Sequence, residues 1–266
     1  KVWLEFNRRN LQRPLKIPWY AGIRFNAYLG NDLGWCLYVN GCYEPNEFRA
    51  LKGILRPGMV CVDGGSNEGL FALFMARLTG QQGTVLAVEP SPRECERIRA
   101  NLRLNQLTNV RLVSYALADQ AGELSLQLSG YTHEGQNTLG QFVYPDVKSI
   151  GNVKVQGIAL DDLLAQEKLE RVDVLKLDVE GAEFKALTGA ARTLERDHPY
   201  LLIELHDGAL RHQGASAAET VSLVRRYGYS IYSFSAETGQ PVRAEADAAL
   251  SPNILAIHSS RPWEPN

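Results

Sequence analysis

Short apolar runs alternate with longer amphipathic stretches along most of the 266-residue chain. Runs rich in Val, Ile and Leu are typical of strands buried on both faces, whereas apolar positions three and four apart indicate helices. Seven runs of the first kind follow one another, at residues 59–63, 84–88, 110–113, 173–178, 200–206, 229–234 and 253–258. This order predicts an α/β fold: a seven-stranded, mostly parallel sheet with helices on both faces and an antiparallel last strand.

The first 56 residues precede this pattern and differ from it. Residues 1–20 mix apolar and basic positions, which indicates a short amphipathic helix and then an extended linker. Residues 23–29 and 35–39 are separated by Gly-Asn-Asp, which predicts a hairpin-like pair of strands, and Pro45 opens a helical pattern. We therefore predict a helix–hairpin–helix appendage over residues 1–56 and a nucleotide-binding type of domain over residues 57–260. The amphipathic segment is a candidate contact for a second copy of the chain.

A glycine-rich turn follows the first of the seven runs, in the sequence Val-Asp-Gly-Gly-Ser-Asn-Glu-Gly at residues 62–69. Strand, tight turn and helix form the first half of a βαβ unit, which binds a nucleotide-like ligand beyond the carboxyl end of the strand. The dinucleotide fingerprint G-x-G-x-x-G is not met, because Ser66 occupies its third slot. This departure disfavours an NAD-dependent oxidoreductase.

Two acids accompany the turn. Asp63 ends the first strand, where it is a poor neighbour for a pyrophosphate but suits the cationic amino-acid head of S-adenosylmethionine. Glu89 ends the next strand, the position at which α/β folds place an acid on ribose hydroxyls. The alternative is a strand-ending turn with incidental acids. The candidate cofactor contacts are Asp63, Gly64, Gly65, Ser66, Asn67, Gly69, Glu89, Pro90, Ser91, Ala118 and Asp119.

Two of these contacts allow more than one interpretation. Asp119 follows the third parallel strand, where it could accept a hydrogen bond from the adenine amino group or merely cap the next turn. Ser91 precedes Pro92, so it is also the expected N-cap of a helix over residues 92–104.

Polar residues end the fourth and fifth strands. Lys176, Asp178 and Glu180 alternate, so the two-residue period of a strand places them on one face, and Glu204 and His206 alternate likewise. Polar side chains in strands buried on both faces need partners. One interpretation is a buried cluster in which Lys176 neutralises Asp178 and Glu204. The other is a reaction site at the strand ends, which we favour for Glu180 and His206.

Residues 62–69, 87–92 and 175–183 together resemble the FkbM family of S-adenosylmethionine-dependent methyltransferases, and the resemblance implies methyl transfer to a hydroxyl group. That reaction would make specific demands on the residues at these strand ends. Oxygen, methyl carbon and sulfur must lie in line, and a base must take the hydroxyl proton. His206 has a suitable pKa near neutrality, and Glu180 or Asp178 could serve if its pKa were raised. The acids could also ligate a metal, but removal of the proton by His206 needs none, and we expect no metal.

The resemblance to the FkbM family has further implications. The resemblance covers roughly residues 41–258. It implies a class I, Rossmann-like fold, an N-terminal segment that borders the substrate side, and O-methylation of sugars in glycans or of secondary metabolites. One departure is Gly64-Gly65-Ser66, where the family more often has Ala in the third position, and it makes the loop more flexible.

The composition of the chain limits the classes of partner that it is expected to bind. The formal net charge of −2, without a cluster of Lys and Arg, argues against a nucleic-acid surface. No apolar run approaches a membrane span, and four cysteines without C-x-x-C spacing fit a reduced, cytoplasmic setting. We expect a small-molecule or glycan hydroxyl acceptor. An N-methyltransferase of a small amine and a non-catalytic cofactor-binding module stay open. Because the chain opens on Lys1, we also expect it to be a piece of a longer polypeptide.

Overall fold

The computed structural model describes Glu5 and residues 13–130, 132–245 and 250–262. The predicted N-terminal helix lies largely outside these residues. In the described ranges, the strands are β1 Leu15–Pro18, β2 Arg24–Ala27, β3 Val60–Gly64, β4 Thr84–Val88, β5 Val110–Val113, β6 Ala116–Ala118, β7 Gly122–Ser129, β8 Ser149–Ala159, β9 Val174–Leu177, β10 Tyr200–Glu204, β11 Tyr229–Phe234, β12 Pro241–Arg243 and β13 Asn253–His258.

Helices connect most of these strands. The α-helices of the described residues are Asp32–Asn40, Pro45–Ile54, Leu70–Thr79, Pro92–Asn105, Leu160–Gln166, Glu183–Thr188, Ala191–Asp197, Asp207–His212 and Ala217–Arg226, and short 3-10 helices span Tyr20–Gly22 and Glu134–Gln136. None of the described helices is both long and apolar enough to cross a membrane.

The main sheet has the order β12-β11-β13-β10-β9-β3-β4-β5. Strands β5, β4, β3, β9 and β10 are parallel, whereas β13 is antiparallel to both of its neighbours. The predicted α/β, Rossmann-like fold is therefore confirmed, and all seven predicted strands lie in this sheet. Among the described residues the sheet has one strand more, β12, which is only three residues long with two of them exposed, so it carries no apolar run.

Two apolar clusters cover the two faces of the sheet. Alternate residues of β3 point to opposite faces, so Cys61 belongs to one cluster and Val62 to the other. The helix Leu70–Thr79 packs Phe71 and Phe74 on the first face, together with Phe48. Because both faces are covered, the ligand-binding positions left are the carboxyl ends of the parallel strands.

The N-terminal segment differs from the predicted hairpin. Strand β2 pairs with β1, and the expected strand at 35–39 is part of the helix Asp32–Asn40. The Asn31 side chain caps this helix by accepting a hydrogen bond from the backbone N–H of Gly34. Gly34 also permits close packing, because a Cβ there would lie 2.2 Å from the carbonyl oxygen of Tyr28. The helix through Leu55 was predicted correctly and is Pro45–Ile54.

Two further differences concern the helices after β9. The sequence pattern from Gly181 to about Glu195 predicts a single helix, but the structure has two helices, broken at Gly189 and Ala190. A Cβ on Gly189 would lie 2.2 Å from the carbonyl oxygen of Ala118, so this contact fixes the break. The chain after β10 also turns into the helix Asp207–His212, where the sequence pattern indicated none.

Candidate functional site

A cleft of about 220 Å³ opens at the carboxyl ends of β3, β4, β9 and β10. One part of its wall comes from the turn after β3 and from residues 88–90. Another comes from the loop between β7 and β8, which contributes residues 134–137. A third comes from the ends of β9 and β10, with Tyr43 of the N-terminal segment and Tyr144. The cleft thus lies where ligands bind in open α/β sheets.

The turn after β3 has a geometry that requires glycine at Gly65. Its φ is +74°, and a Cβ would lie 1.8 Å from the carbonyl oxygen of Asp178. The backbone N–H groups of Gly65 and Ser66 both donate to the carbonyl oxygen of Val88. The turn therefore joins three neighbouring strand ends and keeps its backbone open towards the cleft.

Glu89 lies at the cleft as predicted. Its carboxylate accepts hydrogen bonds from the backbone N–H of Asn67 at 2.8 Å and of Ser91 at 2.9 Å. Burial, and then the charge of Glu94, raise the pKa of Glu89 to about 8. The predicted contacts that line the cleft at this end are Gly65, Asn67, Glu89 and Pro90.

Asp63 is placed differently from the expectation. Its side chain is fully buried and does not line the cleft; Oδ1 lies 3.6 Å from Lys176 Nζ, and burial raises the pKa of Asp63. Lys176, also buried, lies 3.2 Å from Asp178 Oδ2 and over the Phe71 ring. The predicted salt-bridge cluster therefore exists, but with Asp63 rather than Glu204 as the second acid partner of Lys176.

Four more predicted contacts support the turn without lining the cleft. Gly64 ends β3 and accepts the N–H of Asp178, Ser66 Oγ donates to the carbonyl oxygen of Asp63, and Gly69 precedes the helix Leu70–Thr79. Ser91 precedes the helix Pro92–Asn105, but its side chain makes no capping hydrogen bond.

Ala118 and Asp119 also lie away from the cleft. Residues Ala116–Ala118 form β6, which pairs with β8, and Asp119 beyond it is exposed. The cleft is lined instead by the preceding residues Tyr115, Ala116 and Leu117. The prediction that residues just after the third parallel strand lie at the cleft is correct. Pairing in the small β6-β8-β7 sheet, however, decides which of these residues face the cleft.

The other end of the cleft holds four of the five candidate catalytic residues. Asp178, Glu180, Glu204 and His206 line it, whereas Lys176 lies behind them in β9. The strands are shorter than predicted: β9 ends at Leu177 and β10 at Glu204, so the alternation expected for these residues does not extend along the strands. They nevertheless converge, because β9 and β10 are neighbours in the sheet.

Three of these acids form a compact cluster. One carboxylate oxygen from each of Asp178, Glu180 and Glu204 lies within 4.8 Å of the others, a spacing that a cation could bridge. Burial, and then the charge of Asp178, raise the pKa of both Glu180 and Glu204 well above the ordinary value. Glu44 lies nearby, and burial raises its pKa to about 8. This end of the cleft therefore contains carboxyl groups that bind a proton more tightly than an ordinary glutamate does.

Glu180 is held in an unusual backbone conformation. Its φ is +51°, which is uncommon for a residue with a side chain. Its carbonyl oxygen accepts hydrogen bonds from Thr138 Oγ1 at 2.8 Å and from Gln213 Nε2 at 3.1 Å. Strained backbone of this kind persists where surrounding contacts hold it and is concentrated at functional sites.

His206 begins the helix Asp207–His212. Its Nδ1 accepts a hydrogen bond from the backbone N–H of Ala209 at 3.3 Å. A backbone N–H can only donate, so the proton of the neutral imidazole is on Nε2. The ring lies 5.4 Å from that of Tyr144, edge to face. In this arrangement His206 offers Nε2–H as a hydrogen-bond donor.

Sequence reasoning missed the buried ion cluster that holds the loop between β7 and β8 over the cleft. Glu134 of this loop pairs with Arg97 at 2.5 Å, and Arg97 also pairs with Glu68 at 2.7 Å. The Asn31 side chain donates to both acids, and burial raises the pKa of Glu68 to about 7. Glu68 lies inside the glycine-rich stretch, but no spacing in the sequence connects it with residue 134.

Comparison with known proteins gives a family and several relatives. The profile of the Methyltransferase FkbM domain matches residues 63–231. The chain is 28% identical over 171 residues to the 2-O-methyltransferase NoeI of Sinorhizobium fredii, covering 58% of this chain and 68% of NoeI. It is 29% identical over 206 residues to the 31-O-demethyl-FK506 methyltransferase FkbM of Streptomyces tacrolimicus, covering 66% and 75% of the two chains.

A third relative is the hexuronic acid methyltransferase AglP of Haloferax volcanii, at 27% identity over 208 residues, with 77% of this chain and 80% of AglP covered. Matches to two further methyltransferases span less than two thirds of those proteins, 64% and 59%.

Proposed function

Because this chain belongs to the FkbM methyltransferase family, we propose that it transfers the methyl group of S-adenosylmethionine to a hydroxyl oxygen of a sugar-containing or natural-product acceptor. That the enzyme is an S-adenosylmethionine-dependent methyltransferase follows from the family. The oxygen acceptor and its class are the proposal. One observation carries it: a single cleft joins the Glu89 end to the carboxyl cluster at the ends of β9 and β10.

The residues at the first end fit the cofactor. Gly65 and Asn67 of the turn line the cleft, and within the described part of the chain Asn67 Oδ1 is buried without a hydrogen-bond partner. Glu89 offers a carboxylate to ribose hydroxyls, and Leu117 and Pro90 offer apolar surface to the adenine. Asp63 acts from behind the turn, through Lys176, rather than by direct contact.

The second end suits a hydroxyl acceptor. Carboxylates accept hydrogen bonds from hydroxyl groups, and a carboxylate with a raised pKa takes a proton more readily near neutrality. We assign the base to Glu180 or Glu204, while Nε2–H of His206 orients the acceptor. Lys176 holds Asp178 in place, and the negative charge of Asp178 raises the pKa of its two neighbours, so the one that is deprotonated is a stronger base and takes the hydroxyl proton. The bound cofactor supplies the methyl group on its sulfonium sulfur.

The relatives support an oxygen acceptor. One is named a 2-O-methyltransferase, another a methyltransferase of 31-O-demethyl-FK506, and a third a hexuronic acid methyltransferase. The acid-rich end of the cleft would also attract an ammonium group, so methylation of an amine is the second candidate. A protonated amine has no free electron pair, however, so it would first have to lose a proton to the same carboxyl groups.

The test is methyl transfer to a panel of sugars, hydroxylated natural products and small amines. Product mass should increase by one methylene group, and the carbon chemical shift of the new methyl group separates oxygen from nitrogen. Glu180→Gln or Glu204→Gln should lower kcat by about 10²–10⁴, the usual contribution of a general base. Glu237→Gln, at an exposed turn, is the matched control. Transfer to amines alone would overturn the proposal, as would undiminished kcat in both Gln variants.

A further inference from the structure

A second carboxylate, that of Glu94, faces the cofactor end of the cleft. Glu94 lies in the first turn of the helix Pro92–Asn105, is 1% exposed, and lines the cleft. Its Oε1 accepts a hydrogen bond from Arg93 Nε at 2.7 Å. Its Oε2 is buried, and no residue that the structure describes donates to it. A buried carboxylate oxygen without a donor is costly, so a ligand that supplies one would bind favourably here.

Glu89, the neighbouring acid, is already partly engaged. Each of its two oxygens accepts a backbone N–H, from Asn67 and from Ser91. The ribose of the cofactor carries two adjacent hydroxyl groups, and each needs an acceptor when water is excluded. Two neighbouring carboxylates, one partly engaged and one with a free oxygen, match such a pair of donors better than Glu89 does alone.

The surroundings of Glu94 favour a hydroxyl group over a phosphate. Across the described residues that line the cleft, none is Lys or Arg. Arg93 is engaged by Glu94 and by the carbonyl oxygen of Ser129, and Arg97 by Glu68 and Glu134. Two adjacent carboxylates without a free cation repel a phosphorylated ribose.

We propose that Glu94 binds one of the two ribose hydroxyl groups of the cofactor, alongside Glu89. The cofactor site then recognises ribose through two carboxylates from different positions, the end of β4 and the first turn of the following helix. The pair also rejects nucleotides that carry a ribose phosphate. The inference depends on the proposed function only through the cofactor.

The experiment is calorimetry with S-adenosylhomocysteine and its 2′-deoxy and 3′-deoxy analogues. Glu94→Gln should weaken binding of S-adenosylhomocysteine about 10- to 100-fold, the loss expected for a charged hydrogen bond. Wild-type protein should bind both analogues more weakly than S-adenosylhomocysteine. Glu94→Gln should bind one of the two analogues as tightly as it binds S-adenosylhomocysteine, because the hydroxyl group missing from that analogue is the one that Glu94 binds. Glu96→Gln, on the same helix but with a side chain 74% exposed, should bind like wild type.

Each other outcome has a definite meaning. If Glu94→Gln binds like wild type, or loses the same factor for all three ligands, Glu94 does not bind a ribose hydroxyl. If the Gln variant does not fold, Glu94→Asp is tested instead, because it keeps the charge but moves the carboxylate away from the ligand. This variant should weaken binding of S-adenosylhomocysteine more than it weakens binding of one of the two deoxy analogues. Equal weakening for all three ligands would overturn the assignment. If wild-type protein does not bind S-adenosylhomocysteine at all, the proposed function fails instead.

Discussion

The Nδ1 atom of His206 accepts the backbone N–H of Ala209 at 3.3 Å. The bond caps the helix Asp207–His212 and occupies the ring nitrogen that would otherwise be free to take a proton. The sequence favoured His206 as the base because imidazole is a common general base and because the residue lies near a strand end. The geometry instead favours the neighbouring carboxyl groups, and the two assignments predict different behaviour of the same variants.

The first prediction compares His206→Asn with His206→Ala. Asn is a good N-cap residue, so His206→Asn should keep the melting temperature close to wild type, while the loss of the Nε2–H donor should raise KM for the acceptor and lower kcat by no more than about 10-fold. His206→Ala loses the cap and should cost about 1 kcal/mol in the free energy of unfolding. Measuring the melting temperature and kcat of both variants tests this prediction. If both lose kcat by about 10²–10⁴, together with the limb of the pH profile near pH ~6–7, His206 is the base after all.

The second prediction concerns the turn after β3. Gly65→Ala should destabilise the protein by about 3 kcal/mol or more, because φ is +74° and the new Cβ would meet the carbonyl oxygen of Asp178 at 1.8 Å. Urea unfolding measures the loss, and calorimetry should detect weaker binding of S-adenosylhomocysteine. Gly122→Ala is the control, since a Cβ there meets nothing within 4 Å. Equal stability of the two variants would contradict the described turn.

The third prediction concerns metal. The spacing of Asp178, Glu180 and Glu204 would accommodate a cation. We nevertheless expect activity to survive exhaustive chelation, since Lys176 already neutralises part of the charge and a carboxyl group can take the hydroxyl proton directly. Turnover is measured before and after chelator treatment. Loss of activity that added magnesium restores would make these acids ligands and would move the base elsewhere.

The fourth prediction is the pH dependence of stability without cofactor. Burial is the largest cause that raises the pKa of four acids, to about 8 for Glu44 and Glu89 and about 7 for Glu68 and Glu183. In the unfolded chain Glu titrates near pH ~4.3, so between that value and pH ~8 the native state binds more protons. The free energy of unfolding should therefore fall as pH rises from about 5 to about 8.

Urea unfolding across that pH range measures this slope. Glu89→Gln removes one of the four groups and should flatten the dependence, whereas Glu96→Gln, at an exposed position, should leave it unchanged. A stability that increases with pH over this interval would contradict the described burial of these acids.

Much of the fold follows from local pattern. The seven core strands, the glycine turn after the first and the helix that begins at Pro92 were all predicted from apolar runs and turn residues. Glu89 was placed correctly at the cleft because the end of a parallel strand in a βαβ unit defines the ligand side of the sheet. The polar residues at the ends of β9 and β10 were singled out for the same reason. Such features depend on neighbouring residues, which is what a sequence pattern records.

Only the tertiary structure decided which side chains meet. The segment at 35–39 is helical because Asn31 caps it and Gly34 packs on Tyr28, which alternation alone did not indicate. Asp63 turns away from the cleft because Lys176 of a neighbouring strand provides a buried partner.

Glu134 pairs with Arg97, 37 residues away in the chain, across a long loop. The burial and pairing of a charge are set by contacts between residues far apart in the chain. The sequence therefore determined where the site lies, and packing determined which of its acids face the ligand.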